Sequence, residues 1–215
     1  MRHVVILAHP DPQSFNAQAA RTYAQAAVAM GDSPVVRDLY RLDFDPRLRA
    51  RELPWRGDFA PGSDVLAERA VLAEADVIVF VYPLWFNAPP AMLKGYVERV
   101  FGLGFAYVPA EPGTRPLLGG KRLVSISTSG APDGWVDRTG AVTRLRAGFD
   151  DHVAAVCGLA VLEHLHLGGV TPGIRPDAVE GLLHQVEAMA RRLFAPSGAV
   201  DPKAFAEAAA FANQS

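Results

Sequence analysis

Two stretches carry residues whose types suit chemistry better than packing. The first runs from His9 to Asn16 and offers an imidazole, the Ser14 hydroxyl, the Phe15 ring and the Asn16 carboxamide. A helical pattern follows directly, so this stretch lies at a helix start, where unpaired N–H groups and the helix dipole attract phosphate. The second runs from Pro83 through Leu84, Trp85 and Phe86 to Asn87, with Pro89 and Pro90 just beyond. Prolines on both sides make it a rigid turn past the end of an apolar run, and its backbone N–H groups and aromatic edges suit a flat ligand. A polar loop from Thr128 to Trp135, with Ser129 and Gly130 inside it, is a third candidate. Plainer readings stand beside each: His9 ends a strand, Ser14 caps a helix, Trp85 and Phe86 fold back over the core, and Thr128–Gly130 is a simple turn.

The elements that must position these loops follow from the apolar pattern. Val4–Ala8 and Val77–Val81 are uninterrupted apolar runs, expected for central parallel strands buried on both faces. Ser14 is the expected N-cap of a helix through about Met30, ended by Gly31. Pro34–Val36 reads as a second strand, residues 41–62 as a surface excursion, and Ser63 as the cap of a helix to Glu74. A helix begins at Ala91 behind Pro90, with Met92, Leu93, Tyr96, Val97, Val100 and Phe101 as its apolar stripe. Residues 102–120 read as a Gly- and Pro-rich loop and Arg122–Ser127 as a fourth strand. A helix to about Gly158, a strand over Val161–Leu167 and a helix over Asp177–Phe194 complete the chain. This alternation predicts an α/β fold, a doubly wound five-stranded parallel sheet of order 2-1-3-4-5 with helices on both faces, in one domain over 1–194. The loops after the first and third strands then flank the switch point, where ligands bind in such sheets. Residues 195–215 form an alanine-rich tail expected to pack on a partner or remain loose.

Composition excludes several classes. Half of the 215 residues are hydrophobic and a fifth charged, as in ordinary globular proteins. A net charge of -2 gives no case for nucleic acid or an anionic membrane. The single cysteine, Cys157, forms no intramolecular disulfide and sits among small apolar residues, as suits a soluble cytoplasmic protein. No apolar run approaches the ~18 residues of a membrane span, and no residue set reads as a metal site. The absence of a G-x-G-x-x-G fingerprint leaves a Rossmann nicotinamide site unsupported.

Pro83-Leu84-Trp85-Phe86, Pro90-Ala91-Met92-Leu93-Lys94-Gly95, Glu98-Arg99-Val100-Phe101 and Gly104-Phe105-Ala106-Tyr107 together resemble the signature of the NAD(P)H:quinone oxidoreductases of flavodoxin-like fold. Ala8-His9-Pro10 and Ser14-Phe15-Asn16 match that family's first loop, and the resemblance extends from Val4 to about Phe194. It implies a flavin, FAD in preference to FMN, and NAD(P)H as co-substrate. It also implies ping-pong, two-electron reduction of a quinone or similar planar acceptor. By the same resemblance, His9, Ser14, Phe15 and Asn16 face the cofactor's phosphates. Pro83, Leu84, Trp85, Phe86 and Asn87 line the ring and ribityl chain, and Thr128, Ser129 and Gly130 present N–H groups to the pyrimidine edge. Tyr107 and Trp135 fall at substrate-pocket positions, and Trp135 also borders the cofactor. A homodimer is implied, in which Phe101, Phe105 and Tyr107 would cover the other subunit's flavin.

Departures from the family qualify this. Phe86 stands where a second tryptophan is usual, and Asn87 where a phenylalanine is. Trp135 and Ala141 occupy the places of a tyrosine and a histidine thought to balance charge during hydride transfer, and neither moves a proton. No catalytic acid or base is therefore assigned; His152, His164 and His166 qualify by residue type only. The rival reading is a regulatory flavoprotein that binds a potassium-efflux transporter, with the arginines between Arg41 and Arg56 as its surface. An electron-carrying flavodoxin would need a more acidic chain.

Overall fold

The computed structural model describes residues 1–195. Strand β1 (Arg2–Leu7) leads into α1 (Phe15–Ala29) and β2 (Ser33–Asp38), and after the excursion come α2 (Ser63–Ala73), β3 (Val77–Pro83) and α3 (Ala91–Val100). An antiparallel hairpin of β4 (Tyr107–Ala110) and β5 (Gly113–Pro116) precedes β6 (Arg122–Thr128). Helices α4 (Asp133–Thr139), α5 (Ala141–Leu145) and α6 (Asp151–Cys157) follow, then β7 (Ala160–Leu167) and α7 (Pro176–Phe194). The five long strands form one parallel sheet of order β2-β1-β3-β6-β7. With the hairpin set aside, this is the 2-1-3-4-5 order expected from the alternation of elements, its direction reversing between β1 and β3.

Burial explains the order. Every residue of β3 is buried, because helices cover both of its faces. Helices α1 and α7 pack on Val5, Leu7, Val79, Val81 and Ile126. Helices α2, α3 and α6 pack on Ile6, Ile78, Phe80, Tyr82 and Leu123. Alternation along each strand divides its side chains between the two layers.

Four expectations need correction. Ser63 is the first residue of α2, not its cap; Gly62 holds the cap position, close against Glu52 and Asp64. Residues 102–120 are not simply a loop but contain the β4–β5 hairpin. The loop after β6 is shorter than expected, so Trp135 lies in the first turn of α4. The helix expected up to Gly158 is broken: Gly140 takes a left-handed conformation between α4 and α5, and a π turn spans Arg146–Asp150 before α6. The tail from 196 onward lies outside the described residues.

The excursion over 41–62 is pinned from within. Glu52, buried in its 3-10 turn, accepts from the Arg99 guanidinium of α3 at 2.8 and 2.7 Å, and Asp64 of α2 accepts from the same group at 2.6 Å. Gly95 of α3 lets the excursion lie close, since a Cβ there would stand 2.1 Å from the Pro46 carbonyl oxygen.

Candidate active site

The loops after β1, β3 and β6 are tied to one another by direct contacts. The imidazole of His9 lies 6.0 Å, centroid to centroid, from the Trp85 indole. Leu84 N–H donates to the Thr128 carbonyl at 2.7 Å. The Thr128 hydroxyl in turn donates to Asn16 Oδ1 at 3.1 Å. Thus the first turn of α1, the turn after β3 and the end of β6 meet at the point where the strand order reverses.

The start of α1 gathers several polar groups. Ser14 caps the helix through its Oγ, which accepts from Ala17 N–H at 3.2 Å. His9 Nδ1 accepts from Asp11 N–H at 3.1 Å, so the neutral ring carries its proton on Nε2 and keeps one free donor. Burial lowers the His9 pKa, against the opposing pull of Asp11. Asn16 is buried, and its Nδ2 has no hydrogen-bond partner among the described residues. Buried amides are seldom left in that state, because an unmade hydrogen bond costs about 1–3 kcal/mol. With Phe15 buried beneath them, these groups make a donor-rich rim suited to an anion.

The turn after β3 is tight and strained. Trp85 and Ala88 exchange backbone hydrogen bonds at 3.1 Å, and Phe86 and Asn87 between them take φ of 52° and 57°. Two consecutive left-handed residues define a type I′ turn, which ordinarily uses Asn-Gly. Phe86 has no side-chain burial to offset the strain and is fully exposed. Asn87 Nδ2 donates to the Ala141 carbonyl at 3.4 Å, which holds the turn against α5. Phe86→Gly is expected to raise stability in urea melts by about 1 kcal/mol by removing the left-handed penalty. A loss of stability instead would mean that Phe86 is packed in solution.

Below this turn lies a cavity of about 340 Å3, walled by Leu84, Asn87, Ser129, Gly130, Ala131 and Trp135. The Trp135 ring is half exposed at its mouth, and Pro83 is buried at the end of β3, paired in register with Thr128. Gly168 keeps the wall in place: its N–H donates to Asp133 Oδ1 at 2.8 Å, and a Cβ there would lie 2.2 Å from that oxygen.

Two sequence expectations fall elsewhere. Tyr107 does not meet these loops within one chain; with Trp55, Arg69 and Leu53 it lines a separate cavity of about 380 Å3. Phe101 is buried against Phe80 and Tyr96, so it offers no covering surface. Phe105 lies half-buried under the Arg69 guanidinium.

Sequence reading assigned no proton-handling group, yet the structure contains a chain of them. Ser125 Oγ donates to Asp150 Oδ1 at 2.9 Å, and Asp150 Oδ2 pairs with His164 Nδ1. His164 Nε2 meets Ser127 Oγ at 2.7 Å, which meets His166 Nδ1 at 2.8 Å; His166 Nε2 meets Ser129 Oγ at 3.0 Å. The signal was present as serine at 125, 127 and 129 and histidine at 164 and 166, both of period two. It became readable once β6 and β7 were known to pair with Ser125 opposite His164 and Ser127 opposite His166. His152 is exposed and takes no part.

Comparison with known proteins agrees with this geometry. The family model Flavodoxin_2, described as flavodoxin-like fold, matches residues 1–191. An NAD(P)H oxidoreductase of Haemophilus influenzae is 36% identical over 132 residues, 61% of this chain and 65% of that protein, so the match spans just under two thirds of that relative's length. The rat protein named NAD(P)H dehydrogenase (quinone) 1 is 28% identical across 93% of this chain and 82% of its own. Among solved structures, NAD(P)H:quinone oxidoreductase from Methanothermobacter marburgensis superposes with a TM-score of 0.79 at 26% identity, covering 90% of this chain and 99% of that one. That model matches nearly all of the described residues, the five-stranded parallel sheet of order β2-β1-β3-β6-β7 agrees with its description, and the chain belongs to the flavodoxin-like fold family.

Proposed function

We propose that this protein is a flavin-dependent NAD(P)H oxidoreductase that reduces quinones or similar planar acceptors by two electrons in a ping-pong cycle. The observation that carries the reading is the buried Asn16 amide in the first turn of α1, whose Nδ2 has no partner among the described residues, on the same loop as His9 and tied through Thr128 to the loops after β3 and β6. Such a rim fits a phosphate, and the adjoining Leu84, Trp85 and Ser129 wall fits a flat ring. The residues present therefore suit a flavin dinucleotide or mononucleotide. FAD is favoured because the His9–Asn16 loop resembles those of FAD-binding relatives.

A bound flavin would supply the electron transfer between nicotinamide and acceptor. The chain's own residues do the rest. Asn16, His9 and the α1 N-terminus hold the phosphates. Leu84 and Trp85 give the ring an apolar wall, and the backbone of Ser129 and Gly130 offers donors at its polar edge. The Trp135 indole at the cavity mouth positions the acceptor and keeps water from the reacting face.

A homodimer belongs to this reading. Trp85, Phe86 and Trp135 are exposed around the crevice, more aromatic surface than a monomer usually leaves in one place. Tyr107 reaches an acceptor only from a second copy of the chain. A cytoplasmic setting, with NAD(P)H at hand, agrees with the lone, buried Cys157, whose pKa burial raises to about 11. Among the described residues no helix is long and apolar enough to cross a membrane.

The transporter-binding rival gains nothing from the excursion. Four of its five arginines are matched by neighbouring acids, Arg47 and Arg49 by Asp45, Arg56 by Asp58 and Arg41 by Asp38, which leaves Arg51 alone as a basic contact. The deciding experiment is to incubate purified protein with FAD and with FMN, remove the excess, take the visible spectrum and assay NADPH with menadione. Flavin bound near one equivalent, with turnover, is expected. A colourless protein after both incubations would end the proposal.

A further inference from the structure

We infer that Asp150, His164, Ser127, His166 and Ser129 form a relay that delivers one proton per turnover to the cavity beside Ser129. The inference rests on the quinone-reductase reading proposed above. Reduction of a quinone by NAD(P)H takes one proton beyond the hydride equivalent: quinone, NAD(P)H and a proton become hydroquinone and NAD(P)⁺. Nothing at Trp135 or Ala141 supplies it; of the other polar groups on the cavity wall, the Thr139 hydroxyl is given to the Trp135 and Val136 carbonyls, and the Arg144 guanidinium, which donates to the Thr139 carbonyl, does not give up its proton.

The chain of contacts is continuous and has two polarities that differ by one proton. In the loaded form His164 is an imidazolium paired with the Asp150 carboxylate, which also accepts from Ser125. His164 Nε2–H then donates to Ser127, Ser127 to His166 Nδ1, and His166 Nε2–H to Ser129. The Ser129 hydroxyl is left pointing at the Ala131 carbonyl, 3.1 Å away on the cavity wall. Discharge reverses the three bonds between His164 Nε2 and Ser129. The Ser129 O–H bond breaks as a new O–H bond forms on the acceptor's oxyanion, and Ser129 takes the Nε2 proton of His166. Then His166 takes the Ser127 proton on Nδ1, and Ser127 takes the Nε2 proton of His164. His164 ends neutral, its Nδ1–H still on Asp150, and no electron moves through the chain. Solvent reloads it with one proton.

Position argues for conduction over packing. His164, Asp150, Ser125 and Ser127 are buried between the sheet and the segment leading into α6, with the Tyr82 ring of β3 edge-on to His164 at 6.4 Å and Phe149 beside Tyr82. His166 and Ser129 are only half-buried, so the chain opens toward the cavity and closes at the carboxylate. The groups facing His164 are Asp150, the Tyr82 hydroxyl and His166; Asp133 and Asp137 of α4 act on His166. Burial first, and then His164, lowers the His166 pKa against those two carboxylates, so His166 passes a proton along without holding it.

The test uses Ser127→Ala, which cuts the chain between the imidazoles and touches no cavity residue, with Ser127→Thr as the variant that restores a hydroxyl. Long-range proton–nitrogen correlation spectra of the flavin-free protein read both rings as pH is varied. In the wild type, His166 is expected to move its proton between Nδ1 and Nε2 in step with the change at the His164 ring as pH is varied, and in Ser127→Ala the two rings change independently. In the flavin-loaded enzyme with NADPH and menadione, Ser127→Ala is expected to lower kcat about 100-fold, the low end of what positioned proton transfer contributes. The solvent deuterium isotope effect and the pH profile change with it, flavin affinity stays within about twofold of wild type, and Ser127→Thr recovers activity. Unchanged kcat and isotope effect in Ser127→Ala, or a His166 tautomer that does not follow the His164 ring as pH is varied, would overturn the relay. Coupled tautomers in a protein that binds no flavin would support the conduit and count against the quinone-reductase reading alone.

Discussion

Arg99→Ala is expected to lower the free energy of unfolding by about 3–5 kcal/mol, the cost of stranding a buried charge whose partner is gone. The Arg99 side chain is fully buried and ties α3 to two other segments: the excursion, at Glu52 through Nε and Nη2 and at the Asp45 carbonyl through Nη1, and α2, at Asp64 through Nη1. Its guanidinium also lies over the Phe44 ring at 5.0 Å. With arginine removed, the nearly buried Glu52 keeps only the N–H donors of Arg49 and Gly62. Urea denaturation at pH 7 measures the loss, and a change below about 1 kcal/mol would show the ion pair to be replaceable by water.

The pH dependence has a defined sign. Burial pushes the Glu52 carboxyl up, but Arg99 and two backbone N–H groups outweigh it, and the net pKa falls below the ordinary value. Asp64 is lowered as well, chiefly by Arg99. Groups depressed on folding stabilise the native state above their unfolded pKa and lose that contribution as pH falls through the folded one. Wild type should therefore weaken steadily on acidification below about pH 4. Arg99→Ala, already lacking the interaction, should show a flatter profile.

The sheet was legible because its signal is local. Val4–Ala8 and Val77–Val81 are continuous apolar runs, and a strand buried on both faces has no other sequence signature. From strand order alone the crevice could be placed at the loops carrying His9, Asn16 and Trp85, and the structure brings these together. What stayed hidden depends on partners distant in the chain. Glu52 lies 47 residues from Arg99, and among so many arginines and aspartates no spacing marked it as the buried one. The β4–β5 hairpin hid because its strands are four residues each, with little apolar content and three prolines in the ten residues they span. The break at Gly140 and the π turn before Asp150 interrupt a segment whose apolar residues still suit one helix. That interruption is what places Asp150 against His164, so the least regular helix of the fold supplies the inner end of the proposed relay.

Asn16→Asp is expected to weaken flavin binding at pH 7.5 by about 3 kcal/mol, or roughly 100-fold, while leaving the fold in place. The substitution is isosteric and keeps an oxygen to accept from Thr128, so the tie between α1 and β6 survives. It exchanges the one donor of Asn16 that has no partner among the described residues for an oxygen that cannot donate when ionised. A phosphate at the α1 N-terminus would then lose a hydrogen bond and face a buried like charge. Burial raises the pKa of the introduced carboxyl, so the charged form gives way to a neutral acid, a donor again, as pH falls. Flavin affinity of the variant should accordingly recover toward wild type between pH 7.5 and about 5, whereas Asn16→Ala, which loses the donor without gaining a charge, should sit about 10-fold below wild type across the range. Fluorescence titration with FAD at both pH values distinguishes these cases. Equal affinity of Asn16→Asp and wild type at pH 7.5 would mean that the buried amide faces something other than the cofactor's phosphates, and the crevice would need a different ligand to explain why an unsatisfied donor persists there.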